Sequence, residues 1–160
     1  MAKSSLPVIP RIVFGVVEPA MLIWAYKDCQ TNPTAFFAAQ APPFTADSIP
    51  PQALVLLLQL VNVYLLLAAL AVLCSWTSHK SVAKWYLLVV AFADYGHIWA
   101  CYRGVGEEVF WDTGRWNEML WGGVGVSVLL NLARWGTLLG GFGRLRDPRD
   151  PVVAGGKKQA

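Results

Sequence analysis

Charge is scarce in this sequence. Of its 160 residues only 14% are Asp, Glu, Lys or Arg, while 56% are hydrophobic; a soluble domain carries roughly 25% charged residues. That depletion excludes a separate soluble domain, because four apolar stretches use up most of the chain: Pro7–Tyr26, Ala53–Trp76, Val82–Tyr102 and Asn117–Gly141. Each is close to the ~20 residues needed to cross a bilayer. Cysteine is scarce too. There are three, none in a C-x-x-C pair, which excludes a quinone-linked thiol oxidoreductase. Cys29 and Cys101 fall near the same membrane face and are the one candidate disulfide, whereas Cys74 reads as a small core residue. H-E-x-x-H, phosphate-binding glycine loops and nucleophile elbows are all missing, so neither a metal nor another cofactor is expected.

What remains reads as an all-α, polytopic membrane protein: one four-helix transmembrane domain over 1–143, then a disordered cytoplasmic tail over 144–160. The formal charge of +3 does not point to nucleic acid, because the bases are sorted by membrane side. Lys27, Arg103 and Arg115 fall on one side and Arg134 lies inside the fourth span. The other nine of the thirteen fall with both termini and the second loop, an excess that places that side in the cytoplasm. The N-terminal run has a glutamate within it and no A-x-A-like site, so the first span is expected to be retained rather than cleaved as a signal. The endoplasmic reticulum is the expected membrane.

The polar residues inside these spans are the candidates for function, since ionisable groups at membrane depth are rare and usually functional. Glu18 precedes Pro19, whose missing N–H frees the carbonyl of Gly15 and favours a kink. A neighbouring helix must then satisfy that carbonyl. Gln59 and Asn62 share a face of the second span. Asp94 and His97 lie three apart in the third, and Asn131 and Arg134 three apart in the fourth. Counting about 1.5 Å per residue puts Glu18, Asn62, Asp94 and Asn131 within about two turns of the midplane. By the same count His97 and Gln59 sit about one turn toward the lumen, and Arg134 about one turn toward the cytoplasm.

Each of these residues also has a simpler role. Arg134 would snorkel to the interface beside Trp135, and His97 would bond a backbone carbonyl. Gln59, Asn62 and Asn131 would serve as interhelical glue. Glu18 and Asp94 would pair with Arg134 or His97 in a buried salt bridge. Most of the eight tryptophans read as aromatic belts, with Trp99 and Trp121 as candidates for a pocket mouth. The proline-rich loop 28–52 contains Phe36 and Phe37 in a stretch, Ala35–Ala41, expected to form a short interfacial helix. Gly136 and Gly140 form a G-x-x-x-G suited to close helix contact, within one bundle or between two copies of the chain.

The strings EPAMLIWAY, PTAFF, ADYGHIW and RWNEMLWGGVGVSVLLNLARWGTLLGG resemble a fungal four-helix integral membrane family of unknown function. The likeness runs from Pro7 to Gly141 and carries E-P, A-D-x-G-H, W-G-x-x-G and N-x-x-R in order. The resemblance implies that Glu18, Asp94, His97 and Arg134 occupy the family's polar positions. It also implies kinship with members of secondary-metabolite clusters that act as cyclases, epoxide hydrolases or isomerases. A looser similarity is to the sterol-isomerase-like four-helix fold.

From the residues themselves the leading expectation is acid–base catalysis on an apolar small molecule entering from the bilayer. Two carboxyl groups in different environments can divide acid and base roles. Glu18 is the expected acid and Asp94 with His97 the base, or the two exchanged, with Arg134, Asn62, Gln59 and Asn131 holding substrate. Epoxide hydrolysis or cyclisation and isomerisation all fit. The alternative is a non-catalytic membrane protein that binds a sterol or lipid, or that acts as an assembly factor.

Overall fold

Residues 4–42 and 45–147 are described by a computed structural model, and among them every regular element is a helix. The first helix, α1, runs over Val8–Thr31. It begins as α, passes through a π-turn at Val13–Val17 and resumes as α at Glu18. Pro19 causes the change of register, because it has no N–H to give Gly15. The Gly15 carbonyl instead accepts the Trp76 indole N–H at 3.2 Å. The freed carbonyl is thus satisfied by a neighbouring helix, and the chain changes register at Val13–Val17.

A short helix α2, Pro33–Ala39, is capped by Asn32, whose side chain accepts from the Ala35 N–H. It buries Phe36 against Cys29, Leu57 and Val61. The element expected at the interface therefore closes one end of the bundle. Helix α3, Pro51–Ser75, packs along α1. Helix α4, Lys80–Val105, ends at Gly106 with φ 83° and packs along the last long helix. Helix α5, Glu107–Trp111, and a 3₁₀ turn at Thr113–Arg115 lead into that helix.

The last helix, α6, spans 118–138 and is broken by a second π-turn at Trp121–Gly125. Asn117 caps it by accepting from the Leu120 N–H at 2.9 Å and also donates to the Ala39 carbonyl at 2.9 Å, tying α6 to α2. The opposite end of the bundle is tied as well. Ser5 N donates to Thr77 O at 2.9 Å, and Arg146 N to Ser5 O at 2.8 Å. Leu145 packs on the cluster of Leu6, Phe14 and Leu87, so residues 144–147 are held by the N-terminal segment rather than belonging to the disordered tail expected from 144. Positions 148–160 of that tail lie outside the described residues.

Two helices, Val8–Thr31 and Pro51–Ser75, have the length and apolarity to cross a membrane. Helix α4 has the length, but Lys80, Lys84, Asp94 and Arg103 interrupt its apolar run, and α6 is divided by its π-turn. Little of the two apolar helices is buried inside the protein, 28% and 22% of their most apolar windows. Leu56, Leu66, Leu73, Phe92, Leu129 and Leu132 are all at least 60% exposed, while Glu18, Asn131, Arg134 and Thr137 are at most 5% exposed. Large apolar side chains across the outer surface, with charged groups enclosed within, differ from the usual surface of a soluble bundle.

The three cysteines are free thiols, so the Cys29–Cys101 disulfide is not formed. Cys29 is instead fully buried among Phe36, Leu57 and Val61. The two glycines of the G-x-x-x-G serve different ends. A Cβ on Gly136 would meet the Phe142 ring at 3.1 Å, and Gly140 takes φ 87° just beyond the helix end. Both uses are internal to the chain.

Candidate functional site

Arg134 has no solvent exposure and lies where α1, α4 and α6 meet. Its Nη2 donates to Glu18 Oε1, and its Nη1 donates to Asp94 Oδ2 at 2.7 Å. One guanidinium thus holds two carboxylates from two other helices. Asn131, one turn before Arg134, donates through Nδ2 to the Ala91 carbonyl at 2.7 Å and to Asp94 Oδ2 at 3.3 Å. The Phe14 ring closes the cluster from α1, with the guanidinium carbon 5.1 Å from its centroid.

Local sequence explains the convergence. Phe14 and Glu18 are i and i+4 across the π-turn, so they share one face of α1. On α4 the buried stripe Tyr86, Val90 and Asp94 recurs every fourth residue. On α6 the buried residues are Asn131, Arg134 and Thr137, three apart. Each helix presents its polar residue on the stripe that faces its neighbours.

Three polar atoms of the cluster are buried without a hydrogen-bond partner: Glu18 Oε2, Arg134 Nε and the Tyr86 hydroxyl oxygen. Tyr86 lies near enough to feel the charges of both Glu18 and Arg134. Its position was not foreseen from sequence. The signal was present in the i, i+4, i+8 spacing from Tyr86 to Asp94, but a tyrosine in an apolar helix has many uses. Two carboxylates against one guanidinium leave one negative charge, and the cluster becomes neutral only by carrying one proton. Two carboxyl groups sharing one guanidinium, with a tyrosine beside them, are groups able to give and take a proton.

The other residues singled out from sequence lie apart from this cluster. His97 is exposed; its one polar contact is the Cys101 thiol at 3.9 Å, and it does not bond Asp94. Gln59 and Asn62 are exposed on α3 and make no side-chain hydrogen bond among the described residues. Trp99, 59% exposed, stacks on Tyr102 at 5.3 Å with the Arg103 guanidinium 5.9 Å above it. Trp121, 51% exposed, packs edge-on against Trp116 at 5.0 Å. Trp99 also lines a shallow surface depression of about 350 Å³ with Tyr102, Arg103 and Glu107. Arg134 does not snorkel; it is enclosed, and the indole of Trp135 turns outward to bond the Tyr95 hydroxyl at 2.9 Å. Among the described residues, no group of three or more His, Cys, Asp or Glu side chains is placed to hold a metal ion.

No curated protein and no solved structure matches this chain. Residues 3–144, which carry every helix and the whole Arg134 cluster, match one family profile. The chain belongs to the DUF7704 family, a domain of unknown function.

Proposed function

We propose that this protein is a four-span membrane enzyme that performs cofactor-independent acid–base chemistry on an apolar small molecule. Four helices cross the bilayer in this reading, with both termini and the 77–79 turn on the cytoplasmic side. Ser5, Thr77 and Arg146 meeting at one end of the bundle supports that topology, as does the excess of Lys and Arg there. The apolar outer surface supports a bilayer setting. A fungal origin, a place in secondary metabolism and the endoplasmic reticulum as location belong to the same proposal. They rest on the family resemblance alone.

The observation that carries the reading is the single guanidinium between two carboxylates, with Glu18 Oε2 left free. Arg134 orients both acids and holds negative charge in an apolar setting. Asp94, bonded by Arg134 and Asn131, is the better-stabilised anion and serves as base. Glu18, with one oxygen unengaged, delivers the proton. His97 takes no part in the first proton transfer in this arrangement, since neither carboxylate touches it. Epoxide opening with hydrolysis or cyclisation and double-bond isomerisation each need one donor and one acceptor, and the cluster provides both.

A second reading has its own support: the same contacts clamp α1, α4 and α6 together, which suits a purely structural ion network in a lipid-binding or assembly protein. Amide substitutions separate the two. Glu18→Gln and Asp94→Asn keep the shape of each side chain, and each leaves Arg134 with one counter-charge, so the fold is retained. Under the enzyme reading, cells producing either variant lose the metabolite that the native chain forms, by roughly 10²-fold or more, with unchanged thermal stability. An unaltered metabolite profile, with or without unfolding of the variants, sinks the enzyme reading.

A further inference from the structure

We propose that the C-terminal end of α4 is a docking site for the zwitterionic headgroup of a phosphocholine-type lipid, whose chains lie along the exposed face of the same helix. The inference goes beyond the catalytic reading and uses only its bilayer setting. It starts from the open depression of about 350 Å³ lined by Trp99, Tyr102, Arg103, Gly106 and Glu107. Small-molecule sites run from roughly 300 to 1,000 Å³, so this one suits a headgroup. Gly106 turns the chain at φ 83° where α4 ends and α5 begins, and a Cβ there would meet nothing within 4 Å. The space over the turn is therefore open. Its aromatic wall is fixed, because the Tyr102 ring packs edge-on against the buried Phe110 at 5.2 Å. The Trp116 indole in turn donates to the Phe110 carbonyl at 3.2 Å.

The two charges at the depression are opposite and unpaired. Arg103 and Glu107 are exposed, stand four residues apart across the turn, and form no ion pair with each other or with another described residue. The Arg103 guanidinium lies 5.9 Å from the Trp99 ring centroid, and Trp99 stacks on Tyr102 at 5.3 Å. A phosphocholine head carries the complement. Its phosphate diester suits a guanidinium fork, and its quaternary ammonium suits a carboxylate beside aromatic rings. A headgroup of net negative charge fits less well, because segment 103–115 holds three acids, Glu107, Glu108 and Asp112, against two bases, Arg103 and Arg115.

The surface leading to the depression makes the occupant a lipid rather than a dissolved molecule. Trp85, Val89, Phe92, Tyr95 and Trp99 recur every three or four residues, so they share one face of α4. All five are at least 49% exposed. Arg103 falls on the same face, one turn beyond Trp99. From Phe92 to Arg103 the stripe is about 16 Å long at 1.5 Å per residue. The Tyr95 hydroxyl already accepts from the Trp135 indole, so that oxygen has a partner within the protein. An apolar stripe ending in a cation, an anion and an aromatic pair matches an amphiphile of the same layout.

The experiment uses the full chain purified in dodecyl maltoside micelles. Dodecylphosphocholine, dodecyl phosphate, dodecyltrimethylammonium and chain-free phosphocholine are each added in rising amount, and the unfolding temperature is read. Variants are compared with the native chain in the same micelles, so the effect of a probe on the micelle cancels. Arg103→Gln and Glu107→Gln change exposed side chains and keep the fold. The native chain responds most to dodecylphosphocholine and only weakly to phosphocholine. Arg103→Gln raises the half-saturating amount of dodecylphosphocholine severalfold, up to roughly tenfold for one charge-assisted contact, and turns the preference toward dodecyltrimethylammonium. Glu107→Gln turns it toward dodecyl phosphate. Identical responses of the native chain and both variants overturn the proposal. So does an equal response to phosphocholine with and without the chain, which makes the occupant a dissolved molecule. Failure here is distinct from failure of the catalytic reading, which is decided at Glu18 and Asp94 by product. A chain recovered from cells without detergent overturns the bilayer setting itself, whereas a detergent-dependent chain with no headgroup preference overturns this proposal alone.

Discussion

Asp94 and His97 stand one turn apart on α4, and the protein treats them in opposite ways. Asp94 is 9% exposed and held by Arg134 and Asn131; His97 is exposed, and its one polar contact is the Cys101 thiol. Three residues turn a helix by about 300°, so the two side chains diverge by about 60°. That is enough for one to reach Arg134 and the other to miss it. Partners on the neighbouring helices decide the rest. Arg134 is positioned to neutralise an acid, whereas the imidazole lies beside Gly123 of α6, which has no side chain to offer it. Position along an apolar helix does not by itself bring a polar residue into the cluster; position combined with a facing partner does.

The sharpest way to break that contrast is to remove the partner. Arg134→Met deletes the charge that both carboxylates depend on and leaves them facing each other in an apolar interior. Breaking a buried ion pair from one side costs roughly 3–5 kcal/mol, and here two acids are orphaned at once. The expected outcome is little or no folded protein by size-exclusion chromatography in detergent. Arg134→Met with Glu18→Gln and Asp94→Asn together should recover much of the loss, because no charge then remains unpaired. If the single variant unfolds at the native temperature, the cluster contributes nothing to the fold.

A weaker break lies one turn from the cluster, at the kink. Gly15 admits Trp76 so closely that a Cβ would stand 2.6 Å from its indole nitrogen. Gly15→Ala therefore pushes the indole away and strips the carbonyl freed by Pro19 of its donor. Overpacking of this kind costs about 1–3 kcal/mol, to be read as a lowered unfolding temperature with a changed tryptophan emission. Because Glu18 lies just past the same kink, the substitution also tests whether α1 must bend for Glu18 to reach Arg134. An unchanged emission spectrum would show that Trp76 does not depend on this contact.

The all-helical class was legible in the sequence, as were the long helices to within five residues and the carbonyl that Pro19 frees. Those features are local: they depend on apolar run length and on what proline lacks. Glu18, Asp94, Asn131 and Arg134 were legible too, because polar residues in apolar helices are conspicuous and depth is countable. The rotation of each helix about its axis was not countable. Gln59, Asn62 and His97 pass the same depth test as the four that meet, and only the stripe facing the neighbours separates them. Tyr86 is the opposite case, hidden among tyrosines and tryptophans that serve the bundle surface. Residues 121–125 fall inside one apolar run; an i→i+4 α-turn and an i→i+5 π-turn need no difference in composition, so the break there is invisible in the sequence.

The smallest expected effect completes the comparison. His97→Ala removes an exposed side chain whose one polar contact, 3.9 Å to a thiol, is weak. Substitutions away from cavities, caps and buried networks usually stay within about 0.5 kcal/mol, so its unfolding temperature should match that of the native chain. Asp94→Ala, three residues away, should fall well below Asp94→Asn, since it loses both the Arg134 and the Asn131 contacts and leaves a void. Measured side by side in one detergent, the gap between His97→Ala and Asp94→Ala reports how much of the polar character of α4 is engaged. A His97→Ala variant as damaged as Asp94→Ala would mean that the imidazole, despite its exposure, holds α4 against the glycine-rich turn of α6, where a Cβ on Gly123 would stand 3.5 Å from its Nε2. The Arg134 cluster would then extend one turn further along α4 than its ion pairs alone define.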